Sequence, residues 1–506
     1  RRAGTAQTAR GWGGYVGGVG APGLEWTSTV VLGDGSSALI RPITPDDAPA
    51  LAAFHLRQSP ESRYKRYFSP KPELSPAELK RFTEVDMVGR AALVVELDGE
   101  LVGWGSYERW QDRADAEVAF MVDDRHHGRG IATLLLEHLA VIAQTNGIRQ
   151  FTAETLGDNR AMLAVFAKAG WPVHRHFDSG VVDLDFPLTD TPDFRDSVER
   201  REHRADSRAV ARLLLPSSIA VIGASDRPGT VGHALWQHVT AGAERGTGYA
   251  VYPVNPRHPT IGGVSACRSV TEIEGEVGLA VIAVPVAALE STIQECIDKR
   301  IRSAVVVTAV EGPGFVPELD VRALVTHARR NGLRILGPGS MGLASPRPST
   351  AIQAALVDVL LPAGNVAISM QSGTLAASLL RLAHRLQLGV SWFVSLGDKA
   401  DVSANDLLQF WEDDDATDVI ALYTESLGNP RKFARIARPC SARNSGRKRR
   451  MNSNGTRYSI PQPPSMRNGF GLNSSCSSAT RSLTRSALPL PNPRYRAPFG
   501  FISTLK

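Results

Sequence analysis

The sequence predicts an α/β protein of several domains, and three observations support this. At 506 residues the chain is too long for one hydrophobic core and should divide into about three or four domains. Hydrophobic residues make up 42% and charged residues 21%, an ordinary globular balance. From Ser218 onward, short apolar runs alternate with helical stretches, which is typical of doubly wound parallel sheets.

The N-terminal region has a different pattern, that of a mixed α/β unit. Two apolar runs flank Asp34-Gly35 and predict a β-hairpin. Further strands are expected at 91–96, 101–107 and 116–122, followed by an amphipathic helix over 130–144. We assign residues 1–28 to a disordered Gly-rich leader and 29–188 to this first domain.

A polar stretch at 189–212, rich in charged residues, is predicted to be a linker. The apolar runs after it fall into two cycles, which predict two stacked α/β domains over 213–346 and 347–438. The strands expected in these two domains lie at 219–222, 249–254, 279–284, 304–308, 334–336, 365–369, 390–395 and 419–423.

The basic character of the chain is local. The formal net charge is +6, but 12 of the 57 Lys and Arg residues and no acidic residue lie from Pro439 onward, which leaves 45 basic against 51 acidic side chains elsewhere. We therefore expect no nucleic-acid partner. Residues 439–506, rich in Ser, Asn, Pro and Arg, are predicted to be a disordered tail, and the abrupt change at Pro439 indicates a frameshift or a truncation.

Apolar runs and cysteine spacing indicate the cellular location. No apolar run approaches the roughly 18 residues of a membrane helix, and the Gly-rich start has no apolar signal-peptide core. The four widely spaced cysteines form no C-x-x-C pair and have no matching His cluster. We expect a cytoplasmic protein with no metal site and no membrane partner. The cysteines are Cys267, Cys296, Cys440 and Cys476.

The first candidate site lies between the strand at 116–122 and the following helix. Gly128 and Gly130 leave the backbone unshielded, so that N–H groups at the start of the helix can bind a pyrophosphate, with Arg125 or Arg129 adding positive potential. An ordinary glycine-containing turn is the alternative interpretation.

This segment resembles motif A of the GNAT acyltransferases, [Q/R]-x-x-G-x-[G/A], with the helix starting at Ile131. Residues 154–171, which contain Asn159, Phe166 and Gly170-Trp171, resemble the closing motif of that family. The resemblance spans roughly 30–188. It implies a GNAT fold whose strands splay open to hold acetyl-CoA, with Asn159 contacting the cofactor.

Transfer of an acyl group to an amine requires the ammonium group to lose a proton, and a carboxylate can accept it. Glu117 matches the glutamate implicated in bacterial GNAT protein acetyltransferases, although an exposed strand carboxylate is the plain alternative. The segment from Glu61 to Phe68, with Arg63 and Arg66, resembles the acceptor side of the family or forms an ordinary helix end.

A second glycine-rich loop follows the strand at 219–222. Gly223, Gly229 and Gly232 have the spacing G-x5-G-x2-G rather than G-x-G-x-x-G, which disfavours a plain dinucleotide reductase. The loop resembles the Rossmann-like CoA-binding domain of succinyl-CoA synthetase α subunits and ADP-forming acetyl-CoA synthetases. The resemblance extends through residues 252–256 and 337–342. It implies CoA-binding residues in these two turns, which we assign to Gly223, Ser225, Gly229, Gly232, Asn255 and Pro256.

Residues 347–438 resemble the flavodoxin-like domain of the same synthetases, through Ser372-Gly373-Thr374 and Glu425. In that family the Ser-Gly-Thr helix start holds the phosphate of a phosphohistidine. Gly339 stands where the family has Asn, no histidine follows His384, and no ATP-grasp domain is found. Phosphoryl transfer would therefore need an ATP-grasp partner chain.

The combination resembles bacterial protein lysine acetyltransferases, in which the synthetase-like part is regulatory. It implies an N-acyltransferase that moves an acetyl group from acetyl-CoA to an amine, with a protein lysine favoured over a small amine. Two alternatives stay open: an incomplete ADP-forming acyl-CoA synthetase component, and a CoA-sensing module without catalysis.

Overall fold

The computed structural model describes residues 26–110, 113–246, 248–310, 319–426 and 432–437, together with the strand at 501–505. Three large sheets follow one another along the chain, with eight, five and six strands. A two-stranded ribbon accompanies the second sheet. The structure therefore confirms the predicted α/β class.

The first sheet has the strand order β1-β2-β3-β4-β5-β6-β8-β7. All neighbours are antiparallel except β5 and β6. Its strands are β1 (Ser28–Val31), β2 (Ser37–Pro42), β3 (Arg90–Leu97), β4 (Glu100–Arg109), β5 (Asp115–Val122), β6 (Gln150–Leu156), β7 (His174–Asp178) and β8 (Val181–Pro187). Its helices are α1 (Ala48–Arg57), α2 (Pro60–Tyr67), α3 (Pro76–Thr83), α4 (Ile131–Thr145) and α5 (Arg160–Lys168).

Helices cover this sheet on both faces, because consecutive buried residues of the central strands β3 and β4 point to opposite faces. On one face, the residues that α4 buries, such as Leu135 and Leu139, pack against Val118 and Phe120 of β5. On the other face, Trp104 lies in a smaller core with residues of α1, α3 and the neighbouring strands. The predicted hairpin and the four predicted elements after it are confirmed.

The segment predicted as a linker is mostly helix α6 (Pro192–Leu214). Thr191 caps its start by accepting a hydrogen bond from the Phe194 N–H at 3.2 Å. The helix is polar overall, but it buries apolar side chains at both ends. Phe194 and Val198 lie in the core of the first sheet, whereas Leu213 and Leu214 lie in the core of the second.

The second sheet is fully parallel, with the order β10-β9-β13-β14-β15 and helices on both faces, as predicted. Its elements, with the ribbon β11–β12, are β9 (Ser218–Ile222), α7 (Val231–Arg245), β10 (Ala250–Val254), β11 (Thr260–Ile261), β12 (Val264–Ser265), β13 (Leu279–Ile282), α8 (Leu289–Asp298), β14 (Ser303–Val306), α9 (Val321–Arg330) and β15 (Arg334–Leu336).

The third sheet has the order β17-β16-β19-β18-β20-β21, and its three central strands are parallel. Its first strand, β16, begins before the boundary placed at 346. The elements are β16 (Gly342–Ala344), β17 (Gln353–Ala355), β18 (Ala363–Met370), α10 (Gly373–Arg385), β19 (Val390–Ser395), α11 (Ala404–Asp413), β20 (Val419–Thr424) and β21 (Phe501–Leu505).

Strand β21 corrects the prediction of disorder for part of the tail. It pairs antiparallel with β20, so that the backbone groups along that edge gain partners. The other residues of 439–506, and residues 1–25 of the leader, lie outside the described residues. Within the described part of the chain, no helix combines the length and the apolar character that a membrane crossing needs.

Candidate active site

Strands β5 and β6 separate part way along their length. They pair in parallel only from Asp115 to Glu117 of β5, against Gln150 to Thr152 of β6. Strand β5 nevertheless remains paired to β4 as far as Val122. The edge of β5 that faces β6 therefore opens beyond Glu117, and its backbone groups there can pair with the amides of a ligand.

The loop that follows β5 fits a pyrophosphate. Gly128 and Gly130 have φ of 77° and 84°, and a Cβ added at either would meet nothing within 4 Å. Helix α4 begins after Gly130 with no side-chain cap, so its first N–H groups remain available for an anion. Ile131, 1% exposed, anchors the start of the helix in the core. Open space and uncapped N–H groups are compatible with the predicted cradle, which stays a prediction.

Both arginines of the loop are engaged with carboxylates. Exposed Arg125 donates to Asp123 at 3.0 Å and to Glu100 at 3.1 Å, and these hydrogen bonds raise the pKa of its guanidinium. Arg129 contacts Asp34 at 2.8 Å, while its buried Nε has no hydrogen-bond partner among the described residues. Carboxylates thus partly neutralise both guanidiniums, whereas the N–H groups at the start of α4 have no side-chain cap.

Glu117 lies at the point where β5 and β6 separate, on the face opposite the α4 core. Its side chain is exposed, yet the protein around its carboxyl removes part of its hydration, and this burial together with the charge of Glu154 raises its pKa. Arg66 of α2 opposes that rise. A carboxylate with a raised pKa is a better proton acceptor than an ordinary glutamate.

Arg66 is held beside this carboxylate by aromatic rings. Its guanidinium lies 5.2 Å from the ring centre of Tyr67 and 5.3 Å from that of Trp104. Its Nε is buried without a hydrogen-bond partner among the described residues. The segment that resembles the acceptor side of the family thus contributes one cation that interacts with Glu117.

Asn159 lies at the end of β6, across the opening. It is the N-cap of α5, and its Oδ1 accepts a hydrogen bond from the Met162 N–H at 3.2 Å. Within the described residues, its side-chain amide Nδ2 has no hydrogen-bond partner. The predicted contact with the cofactor is compatible with this placement.

In the second loop, glycine is required at two of the three predicted positions. A Cβ at Gly223, whose φ is 91°, would lie 2.4 Å from the Ala283 carbonyl oxygen. A Cβ at Gly232 would lie 1.9 Å from the Gly223 carbonyl oxygen, so α7 packs directly on the turn after β9. Gly229 has φ of 79° and faces open space.

The turns after β9 and β10 are tied together at the carboxyl edge of the sheet, where ligands of this fold bind. Asn255 donates from Nδ2 to the Ala224 carbonyl at 2.8 Å, and its Oδ1 accepts from the Arg257 N–H at 2.8 Å. Ser225 Oγ accepts from the Arg227 N–H at 3.1 Å. Pro256, next to Asn255, is exposed.

In the third domain, Ser372 and Glu425, which the family resemblance places at a phosphate site, are linked through Gln371. Ser372 caps α10 through the Leu375 N–H at 3.5 Å, and the neighbouring Gln371 accepts from the Glu425 N–H at 2.9 Å. Gly339 has φ of 64°, a region that Asn also tolerates. The structure therefore gives no steric reason for the glycine there.

Sequence patterns missed several residues around the first site. The sequence pattern places Asp34 only in a turn and indicates no role for Glu154 or Asp123. Asp123 is 1% exposed and accepts from the N–H and the side chain of Arg125, which lowers its pKa to about 2 against the effect of burial. The Asp123–Arg125 contact is local, but the contact of Asp34 with Arg129 joins residues distant in the chain, and no local pattern reveals it.

Taken together, the opened strand pair and the two glycine loops define an α/β protein that uses a coenzyme A-type ligand. Three family models match the chain: "Acetyltransferase (GNAT) domain" over residues 38–171, "CoA binding domain" over 217–346 and "Succinyl-CoA ligase like flavodoxin domain" over 363–445. An acetyltransferase of Pseudomonas aeruginosa is 32% identical over 160 residues, 31% of this chain and 85% of that protein. The chain therefore belongs, through its N-terminal domain, to the GNAT acetyltransferases.

The GNAT domain of S. lividans PAT is 44% identical, and the match covers 32% of this chain and 97% of that domain, with a TM-score of 0.31. An ADP-forming acetate–CoA ligase of Methanocaldococcus jannaschii is 34% identical over 227 residues, 45% of this chain. The α subunit of an ADP-forming acetate–CoA ligase II from Pyrococcus furiosus is 35% identical over 224 residues, 44% of this chain. The chain spans 31% and 48% of these two ligase proteins.

These matches confirm the predicted resemblance and the predicted fold of each domain. GNAT domains and CoA-binding domains both use coenzyme A or its acetyl thioester, so the predicted cofactor is confirmed for both families. Among the described residues, no group of three or more potential metal ligands is found.

Proposed function

We propose that this chain transfers an acetyl group from acetyl-CoA to a primary amine, with a protein lysine side chain as acceptor. The observation that carries this proposal is the position of Glu117, at the point where β5 and β6 separate and on the strand that leads to the uncapped start of α4. A proton acceptor and a pyrophosphate cradle thereby flank one opening.

The residues divide the work of acetyl transfer. N–H groups at the start of α4 bind the pyrophosphate, and the open edge of β5 orients the arm that follows it. Glu117 accepts the proton that the acceptor ammonium must lose. Bound acetyl-CoA supplies an activated thioester, whose carbonyl carbon exchanges its bond to sulfur for a bond to the acceptor nitrogen. The sulfur leaves as a thiolate, which takes up the second proton that the nitrogen loses as the amide forms and so becomes the thiol of coenzyme A.

The charge around the opening favours a cationic acceptor. Glu117 and Glu154 contribute two carboxylates, and Arg66 contributes one guanidinium that is held on the rings of Tyr67 and Trp104. A lysine ammonium fits this balance, and the exposed position of the two carboxylates admits a side chain from a large partner. A small amine is the second acceptor class.

We further propose that the CoA-binding and synthetase-like domains regulate the transferase and that the protein works in the cytoplasm. Reduced cysteines are compatible with this location, since Cys267 and Cys296 are both free thiols in the structure.

The test uses the full chain with acetyl-CoA and a panel of lysine-containing proteins and small amines, with release of the coenzyme A thiol as readout. We expect release with a protein acceptor and its loss in Glu117→Gln. The control is Asp185→Asn, which removes an exposed carboxylate from β8. Wild-type rates in Glu117→Gln, or equal losses in both variants, would contradict the assignment.

The alternative function, an ADP-forming acyl-CoA synthetase component, is favoured by the arrangement of Ser372, Gln371 and Glu425 at the start of α10. The sequence has no histidine after His384 to receive a phosphoryl group. Incubation of the pure chain with labelled ATP, acetate and CoA should yield neither acetyl-CoA nor an acid-labile phosphoprotein. Either product would promote the synthetase, and activity that appears only with an added ATP-grasp chain would identify that chain as the partner.

A further inference from the structure

The tip of the β1–β2 hairpin holds the pyrophosphate loop in place. The Gly33 N–H donates to the Arg129 carbonyl at 2.8 Å. The Arg129 guanidinium donates to Ser36 Oγ at 2.5 Å and contacts Asp34 Oδ2 at 2.8 Å. Its side chain is only 19% exposed. The loop residue between the two open glycines is therefore fixed to the hairpin through both its backbone and its side chain.

Asp34 is the centre of these contacts. Its Oδ1 accepts from the Ser36 N–H at 3.1 Å and from Ser36 Oγ at 2.6 Å, while its Oδ2 faces Arg129 and, at 3.7 Å, Arg212 of α6. Burial acts to raise the pKa of Asp34, but the hydrogen bonds from Ser36 and the two arginines outweigh it and lower the pKa. Asp34 is therefore an anion at neutral pH.

The opposite side of the hairpin tip lies against helix α6. Arg208 donates from Nη1 to the Gly33 carbonyl. Gly35 has φ of 87°, and a Cβ placed there would lie 2.7 Å from the Ala209 nitrogen and 2.8 Å from the Arg208 carbonyl carbon. Backbone thus meets backbone at this point, with no space for a side chain between the hairpin and the helix.

Helix α6 is shared by two domains. Its 23 residues correspond to a rod of roughly 33 Å. Phe194 and Val198 near its start belong to the GNAT core, whereas Val210, Leu213 and Leu214 near its end belong to the core of the CoA-binding domain. A displacement of the hairpin tip relative to α6 therefore disturbs the packing between the two domains.

We propose that Asp34 is a positioning residue that holds Arg129, and with it the N–H groups of the loop, in the conformation that binds the pyrophosphate of acetyl-CoA, and that couples this loop to α6. The inference rests on the proposed acetyl-CoA site. A loop that is already ordered loses less conformational entropy on binding. Coupling between two sites is reciprocal, so contacts on α6 should influence binding at the loop.

The first test measures the KM for acetyl-CoA and kcat of the full chain. Asp34→Asn should raise the KM about fivefold to tenfold, roughly 1 to 1.4 kcal/mol, with kcat within about twofold, because Asp34 acts on the loop and not on the acceptor. Asp34→Glu should restore part of the loss. Asp46→Asn, which neutralises an exposed carboxylate beyond the hairpin, is the control. An unchanged KM overturns the proposal, and a lower KM shows instead that Asp34 competes with the pyrophosphate for Arg129.

The second test measures hydrogen exchange in the full chain with and without saturating acetyl-CoA. In the wild type we expect slower exchange in the loop 123–131, the hairpin tip 32–37 and the end of α6, 205–214. In Asp34→Asn and in Arg208→Ala the protection of α6 should be lost, whereas Arg204→Ala, an exposed residue of the same helix, should behave as wild type.

The outcomes of the second test are distinguishable. Protection of the loop without protection of α6 in the wild type refutes the coupling and leaves the acetyl-CoA site intact. Protection of α6 that persists in Asp34→Asn shows that it arises by another route. No protection of the loop in the wild type overturns both the positioning role and the proposed function.

Discussion

Replacement of Gly130 by leucine separates the cost of backbone strain from the loss of cofactor binding. Gly130 has φ of 84°, and an added Cβ would meet nothing within 4 Å. The folded protein therefore loses only the energy of a left-handed conformation, about 1–2 kcal/mol. The new side chain, however, would stand in front of the first N–H groups of α4, where we propose that the pyrophosphate binds. We expect the KM for acetyl-CoA to rise about tenfold or more, or roughly 1.4 kcal/mol.

Gly147, just beyond the other end of α4, provides a matched control. Its φ is 76°, and an added Cβ would also meet open space. Gly147→Leu should therefore lower thermal stability by a similar amount and leave the KM for acetyl-CoA unchanged. Thermal unfolding followed by circular dichroism, together with acetyl-transfer kinetics, measures both effects. Equal KM values for the two variants would refute the pyrophosphate site.

Three further predictions address Glu117, Asp123 and the second glycine loop. Glu117→Gln should lower turnover about 10²-fold. Because burial and the charge of Glu154 raise the pKa of Glu117, Glu154→Gln should move the acid limb of the pH–rate profile to lower pH than in the wild type. An acid limb at the wild-type pH would contradict this. Asp123, with its pKa lowered to about 2, should stabilise the fold above about pH 4 and lose that contribution as the pH falls toward 2. The free energies of unfolding of Asp123→Asn and the wild type, measured by denaturant titration, should therefore converge in acid. A difference in unfolding free energy that stays constant with pH would count against this. Gly232→Ala, whose Cβ would lie 1.9 Å from a carbonyl oxygen, should abolish CoA binding by the second domain and lower its melting temperature. Gly229→Ala, whose Cβ would lie in open space, should lower the free energy of unfolding by only about 1–2 kcal/mol. Similar melting temperatures for the two variants would exclude close packing at Gly232.

The sequence predicts the strands, the helices and the two glycine loops because the responsible interactions are local. An apolar period identifies α4, and glycine at 128 and 130 identifies a turn that requires positive φ. The order of strand, loop and helix then places the loop at the carboxyl end of β5. Gly128, Gly130 and Ile131 lie at or just before the start of α4, and their role in binding the cofactor stays a prediction.

The contacts that complete the site are not local and have no such pattern. Asp34 and Arg129 are 95 positions apart, and only the folded sheet brings them together. Helix α6 is too polar for its period to stand out, since the apolar residues that it buries are divided between two cores. The pair Thr191-Pro192 is nevertheless a recognisable helix start and is a local signal that indicates the helix.

Helix α6 also determines where the acetyltransferase could be separated from the rest of the chain. Phe194 stacks on Trp171 with ring centres 4.1 Å apart and an interplanar angle of 17°, and a Cβ at Gly170 would lie 2.7 Å from the Phe194 Cα. Leu188 directly follows β8, so the strand pattern suggests it as the end of the domain. A chain truncated after Leu188 would nevertheless lack the Phe194 ring and would expose Trp171 to water. A transferable GNAT unit has to extend beyond Val198, so a gene fusion that moved this domain would also have to move the first part of the helix.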